Sequence, residues 1–478
     1  MPSQRIPIPI GVEFNARGNA FLAAGQSVNY YPEIVDGQIV YRSSPGLSAF
    51  ATLGSSAATR GLIVMGDPQS GTLVAVSGNK VYKVTTAGSV SAATGTLDTS
   101  SGLVSMACNY TQAMIVTPSD GKGYIYTLAT NTVAEITDVS YPGAQNVTYQ
   151  DGYFLIVETD TEHHAWSSVN DGTTWDALDF DSSGWKADYV KKVLSDHRDL
   201  WCFGATSTEI KFNDGAGFSN RDGSEIELGI AAPHSADNGA GGVFWVAQNE
   251  KGQAKVIMAQ GMQPGEISTP SIVEKINSWG DISDVIGNCY ELNGHAFYEI
   301  TSPSDNVTLC YDITESRKAG VHLWHEKKST VSSSEGRSRA VCYANFANEL
   351  LCGSRDATGK IFKLSRSTYQ EDSEAINSVL ITKPANKDQQ PLTFYDLQVL
   401  MTPGSSTGTG TCTINLSDDG GLSFGSGLSL TYTLSNKEEV AKIGPLGQSR
   451  NRVFKITISG NHNRDIFGLF CDVEKDGY

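Results

Sequence analysis

The side chains with the strongest chemical character sit in short turns. "SVNDGTTW", Ser168 to Trp175, sets a carboxamide, a carboxylate, hydroxyls and a glycine just before a tryptophan. In such a turn a side-chain oxygen at the third position accepts bonds from loop N–H groups, glycine takes the left-handed conformation, and the aromatic ring packs underneath. Asn170 is the expected acceptor, Gly172 the expected left-handed residue and Trp175 the anchor, with Ser168 and Thr174 completing the set. A looser copy, "SDDGGLSF" from Ser417 to Phe424, places Asp419 as acceptor and Phe424 where Trp stood. Its carboxylates are of the kind that bind Ca²⁺, but the spacing of a calcium loop is missing, so the sequence leaves that site open. The imidazole pairs, His163 with His164 and His322 with His325, fall on opposite faces of a strand and are unsuited to one metal. No phosphate-binding loop, nucleophile elbow or dinucleotide fingerprint occurs. The reading is of a non-enzyme, with no catalytic residue, cofactor or metal expected.

The first turn resembles the Asp box of sialidases and related β-propeller proteins. A sialidase also needs three arginines to grip a carboxylate, a Tyr–Glu nucleophile pair and an acidic catalyst. "RIP" occurs at Arg5 to Pro7, but Gln4 precedes it and it lies at the start of the chain. With the second copy of the turn lying outside the repeat region, the motif reads as hairpin chemistry. A carbohydrate-recognising or sialidase-like propeller is the alternative reading.

These turns need strands to carry them. Apolar runs followed by a Gly, Asp or Asn turn and a second run start at Leu73, Ala113, Gly152, Leu200, Val243, His295 and Leu350. A hairpin recurring every roughly 40–55 residues is the spacing of four-stranded propeller blades, whereas an immunoglobulin-like array needs about 100. The expected fold is all-β: a β-propeller of six or seven blades over residues 51–378. It is flanked by an extended N-terminal arm, 1–50, and a C-terminal β-sandwich, 379–478, with a solvent-facing hairpin tip from Thr402. "STPSIVEKINSW" predicts one short helix, with Ile272, Ile276 and Trp279 on one face. The arm's Ile8, Ile10, Phe14, Phe21, Tyr30 and Tyr31 are candidate assembly residues, expected to lie across a neighbouring subunit.

The chain has 478 residues and a net charge of -17, which disfavours general nucleic-acid binding, since phosphate contacts need clustered Lys and Arg. Outside residues 1–50 and 380–478, the middle segment holds 23 Lys and Arg against 39 Asp and Glu. Such a surface is well solvated and repels another polyanion. The eight cysteines stand singly and read as small apolar strand residues, in keeping with assembly in a reducing cytoplasm. Neither a signal peptide nor a membrane span is indicated.

Four stretches, in order, resemble the tail hub, or packaged-DNA-stabilisation, proteins of short-tailed phages. They are "YRSSPGL" (Tyr41 to Leu47), "DLWCFGATSTEIKFNDGAG" (Asp199 to Gly217), "GEISTPSIVEKI" (Gly265 to Ile276), and the run from "LCYD" at Leu309 to "HLWH". The closing strands, "RNRVFKITISG" to "FGLFCDVE", are also similar. The resemblance implies a virion tail protein assembled in the host cytoplasm as a homo-oligomeric ring, usually of six copies. The ring, or nozzle, sits below the portal adaptor and retains packaged DNA, which passes through the channel on ejection without specific binding. It also implies docking surfaces for tail spikes or fibres and for the tail plug or needle.

Overall fold

The computed structural model describes residues 4–10, 26–186, 188–386, 390–404, 408–434 and 439–475. Seven antiparallel sheets of four principal strands follow one another along the chain, and their innermost strands adjoin in a closed ring. Blade one (Thr59–Met65, Thr72–Ser77, Lys80–Val84, Val90–Ala92) shows the logic. Its second strand is buried on both faces, because blades pack face to face, so its sequence is the continuous apolar run Leu73-Val74-Ala75-Val76. The same position in later blades carries "AMIV", "FLIV", "LWCF" and "VFWVA". Those were the runs that exposed the repeat.

Blades two to six span Ser105–Glu135, Asn146–Ser182, Val190–Asn220, Gly229–Glu266 and Ile286–Val331. Blade seven has three strands of its own, Ala340–Phe346, Glu349–Ser354 and Lys360–Ser365. Its fourth is Gly46–Thr52 from the other end of the chain, pairing antiparallel with Lys360–Ser365. The ring is thus closed by a strand from the segment expected to be an arm.

The rest of that segment is also built into the chain, which corrects the expectation of a separate arm. Gln4–Pro7 pairs with Asp465–Lys475, and the hairpin Tyr30–Val35/Gln38–Ser43 joins the same sheet. Gln26–Val28 bridges the outer strand of blade six and Asn377–Ile381, so the sheet of blade six runs on, without a break, into one layer of the sandwich. Period-two alternation then splits two neighbours. Tyr30 is fully buried in the sandwich core, its hydroxyl donating to Arg464 O at 2.8 Å. Tyr31 turns the other way, edge-on to Phe297 at 5.4 Å, in the core between blades six and seven. Ile8 lies in the sandwich core and Ile10 packs against it, while Phe14 and Phe21 fall outside the described residues. Ile8, Tyr30 and Tyr31 are buried, and Ile10 half-buried, against their own chain.

The predicted helix is present as α1, Pro270–Asn277, capped by the Thr269 side chain, with Ile272, Ile276 and Trp279 buried as expected. A second helix, α2, Ile313–Ala319, joins the last two strands of blade six and had no clear periodic signal. No described helix is long and apolar enough to cross a membrane. All eight cysteines are free thiols, five of them buried, and burial raises Cys202 to about 12.

Candidate functional site

The turn of blade three joins the strands His163–Ser168 and Asp171–Ser182. Its geometry differs from expectation at two residues. The left-handed residue is Asn170, at φ +58°, not Gly172. The acceptor is Asp171: it takes bonds from Thr173 N at 3.0 Å, Thr173 Oγ1 at 2.7 Å and Thr174 Oγ1 at 2.9 Å. Burial works to raise the Asp171 carboxyl, but these donors and the Gln112 amide outweigh it and hold the group below its usual range. Asn170 instead accepts from the Tyr149 hydroxyl at 2.9 Å. Gly172 is needed for space, since a Cβ there would come within 2.6 Å of Ile125 Cδ1.

Trp175 is buried, edge-on to Tyr141 at 5.2 Å, with Nε1 donating to Gly172 O at 3.0 Å. Its backbone N donates to Asp138 Oδ2 at 3.0 Å, tying the turn to the loop that enters the blade. Ser168 pairs with Asp171 across the turn and Thr174 is exposed. The polar groups of the motif hold the turn together or tie it to Gln112, Tyr149 and Asp138 beside it.

The second copy is local in the same way. Asp419 accepts from Ser417 Oγ at 2.6 Å and from the N–H groups of Leu422 and Ser423, both at 3.0 Å. Asp418 is engaged by Arg452, whose Nε donates at 2.8 Å. Among the described residues no group of three or more His, Cys, Asp or Glu is placed to hold a metal ion.

The other candidates are also held in structural contacts. Arg5 lies over the Phe470 ring at 4.5 Å in the sandwich sheet, and its strand pairs with that sheet's last strand. His163 meets Glu158 at 3.1 Å, and His322 meets the Tyr311 hydroxyl at 3.1 Å. Burial, aided by the Lys211 charge, drops His164 to about 3, and burial with the Lys327 charge does the same to His325.

Among the described residues, two of the cavities that open on the propeller are lined by several charged side chains. One of about 440 Å³ lies under the loops of blades six, seven and one. Of its charged wall residues, Glu349 is paired with Lys363, and Arg366 with Asp465 at 3.3 Å. The other, about 230 Å³, sits on the propeller axis and is lined by Lys192, His234, Asp237 and Asn288. Asp237 accepts from Cys289 N at 2.7 Å and Asn238 N at 2.9 Å, yet burial still raises its carboxyl. Burial lowers Lys192 and, with the charge of Lys192, takes His234 to about 4. The sequence offered no signal for this trio, because Lys192 lies on the inner strand of blade four, whereas His234 and Asp237 lie on the inner segment of blade five.

The largest feature is electrical. One face of the propeller carries the turns between second and third strands and the crossings from blade to blade. The loops of this crossover face hold seventeen Asp and Glu against seven Lys and Arg. The opposite hairpin face, with the remaining turns, holds four against three. The acidity read from the middle segment is therefore concentrated on one face.

A family model described as bacteriophage P22 Gp10, beta-propeller, matches residues 4–369. No curated protein matches the chain. Among solved structures, the virginiamycin B lyase of Staphylococcus aureus is similar at 13% identity over 67% of this chain and 98% of that one, with a TM-score of 0.44. YCF48 bound to a D1 peptide is similar at 12% identity over 67% and 97%, with a TM-score of 0.39. At these TM-scores neither likeness bears on function.

Proposed function

The chain belongs to the family of bacteriophage P22 Gp10, a packaged-DNA stabilisation protein of a short-tailed phage, and on that premise we propose that it builds the hub ring of the virion tail. In this reading several copies, six by the family resemblance, stand below the portal adaptor with the channel on their common axis. The propeller is a rigid scaffold, and the ring retains packaged DNA, then serves as part of the ejection conduit. Spikes or fibres and the plug dock on surfaces away from the channel. This role asks no catalysis of the chain.

The observation that carries the reading is the charge difference between the two faces. DNA passing a wall must meet few persistent contacts. A carboxylate-rich wall achieves this because like charges repel across a Debye length of about 8 Å at physiological salt, and its cations are outnumbered by carboxylates that compete with phosphate for them. We place the crossover face toward the lumen. The test is imaging of the purified chain mixed with the portal–adaptor complex of its own phage. Six-fold rings docked coaxially on the adaptor support the reading; a chain that neither forms rings nor binds the complex overturns it.

A further inference from the structure

Large apolar side chains exposed on the propeller are confined, α2's neighbour Val321 aside, to the sector of blades two to four. The centre of this sector is the outer strand of blade three, Asp171–Ser182, which has no partner on its outer side. Phe180 pairs with Ala165 and Trp175 with Ser167, so residues 176–179 stand opposite Trp166 alone and bulge from the rim. The bulge is ordered: Leu178 N donates to Asp176 Oδ1 at 2.9 Å. Leu178 is 81% exposed at its tip, and Phe180 is exposed beside it. The bond from Trp175 N to Asp138 brings the fully exposed Val139 to its root. Asp176 and Asp179 flank Leu178, and burial together with the Asp176 charge raises the Asp179 carboxyl. A knob of this composition lacks a covering surface and a cation.

A second exposed apolar set lies at the far edge of the sandwich: Leu422, Leu428 and Val440. Leu428–Thr433 is the last strand of its sheet, bonded only to Thr409–Ser417. Lys442 stands two residues from Val440; it reaches Asp396 at 2.7 Å and Asp472 at 3.9 Å, with its side chain still 58% exposed. The sheet of Leu428–Thr433 grows outward from blade six, while Val440 and Lys442 lie on the edge strand of the other sandwich layer; in a seven-bladed ring blade three lies across the axis from blades six and seven.

We infer that the blade-three knob of one copy of this chain docks on the distal sandwich edge of a second copy. Two unlike surfaces on opposite sides of a subunit are what a head-to-tail ring requires, since a heterologous contact closes only by rotation. A two-fold dimer through the knob would set Asp176 and Asp179 against themselves, which the head-to-tail contact avoids. This interface rests on the ring reading above and names the surfaces that make it.

The test uses the purified full-length chain and two variants. The assembly state of wild type and of Leu178→Asp is measured by light scattering across protein concentration, with circular dichroism to establish that both are folded. Self-association of the variant is expected to weaken by at least about tenfold, as for a buried interface anchor. Separately, Leu178→Cys and Val440→Cys combined in one chain should give a ladder of oxidised multimers, and each alone should not. A wild type that assembles together with an unaffected L178D overturns the interface and spares the ring. A dimer from Leu178→Cys alone overturns the head-to-tail arrangement. A wild type that stays monomeric under all conditions overturns the ring and the interface with it.

Discussion

In the turn from Ser168 to Trp175, Asp171 gathers the N–H of Thr173 and the hydroxyls of Thr173 and Thr174; in the turn from Ser417 to Phe424, Asp419 gathers the N–H groups of Leu422 and Ser423. In both, the acceptor is the carboxylate directly before a glycine. The two differ in what the closing aromatic does. Trp175 is buried among Tyr141 and the core shared by blades two and three, and the loop carboxylate of Asp138 holds its backbone. Phe424 is only half-buried at the sandwich edge, with Lys455 over its ring at 5.9 Å. The difference separates turn chemistry, which is local and portable, from blade closure, which depends on where the aromatic is delivered.

That separation can be broken first at Trp175. Trp175→Ala should destabilise the chain by about 3–5 kcal/mol, the cost of deleting a buried large side chain, read from denaturant unfolding. A change within about half a kcal/mol, the range of ordinary surface substitutions, would make the ring decorative and the two turns equivalent.

Acid should next tell the turns apart. His164, on the strand leading into the blade-three turn, is held near 3 in the folded chain, against about 6.5 when unfolded. Between those values the unfolded chain binds the extra proton. Stability is therefore intact above about pH 6.5 and falls as pH drops toward 3. Asp171 and Asp419 both sit below the usual carboxylate range, so the turns' own bonds persist through most of this window. Tryptophan fluorescence should report loosening of the propeller, and His164→Leu should move the acid midpoint lower. An unmoved midpoint would remove His164 from the account.

Gly172→Ala should cost about 1–3 kcal/mol, as overpacking does, because its Cβ would meet Ile125 and Phe154. Thermal unfolding measures it, and a neutral result would show that blades two and three can part at no cost. The smallest effect belongs to the second turn. Phe424→Ala should cost less than about 1 kcal/mol, in line with a partly exposed site; a loss matching that of Trp175 would erase the distinction.

Much of the fold was legible because propeller packing writes itself into sequence. Middle strands buried on both faces need continuous apolar runs, and those runs recur at blade spacing. The helix α1 was equally plain from Ile272, Ile276 and Trp279. The first fifty residues were misread for a physical reason: strands that complete distant sheets show no local partner. Gly46–Thr52 finds its neighbour more than three hundred positions away. Within the turn, Asp171 was missed because Asn170 satisfies the same pattern one position earlier, and only the backbone decides which oxygen faces the loop. Net acidity was countable, but its segregation to one face required knowing which loops the topology gathers.

The central claim is that the acidic loops face DNA in an assembled ring. A reconstruction of the ring on its portal–adaptor complex tests it directly. Asp and Glu of the crossover face, such as Glu158, Asp160 and Glu162, are expected to line the lumen. A lumen walled by neutral or basic side chains, with those carboxylates on the outside, would contradict it.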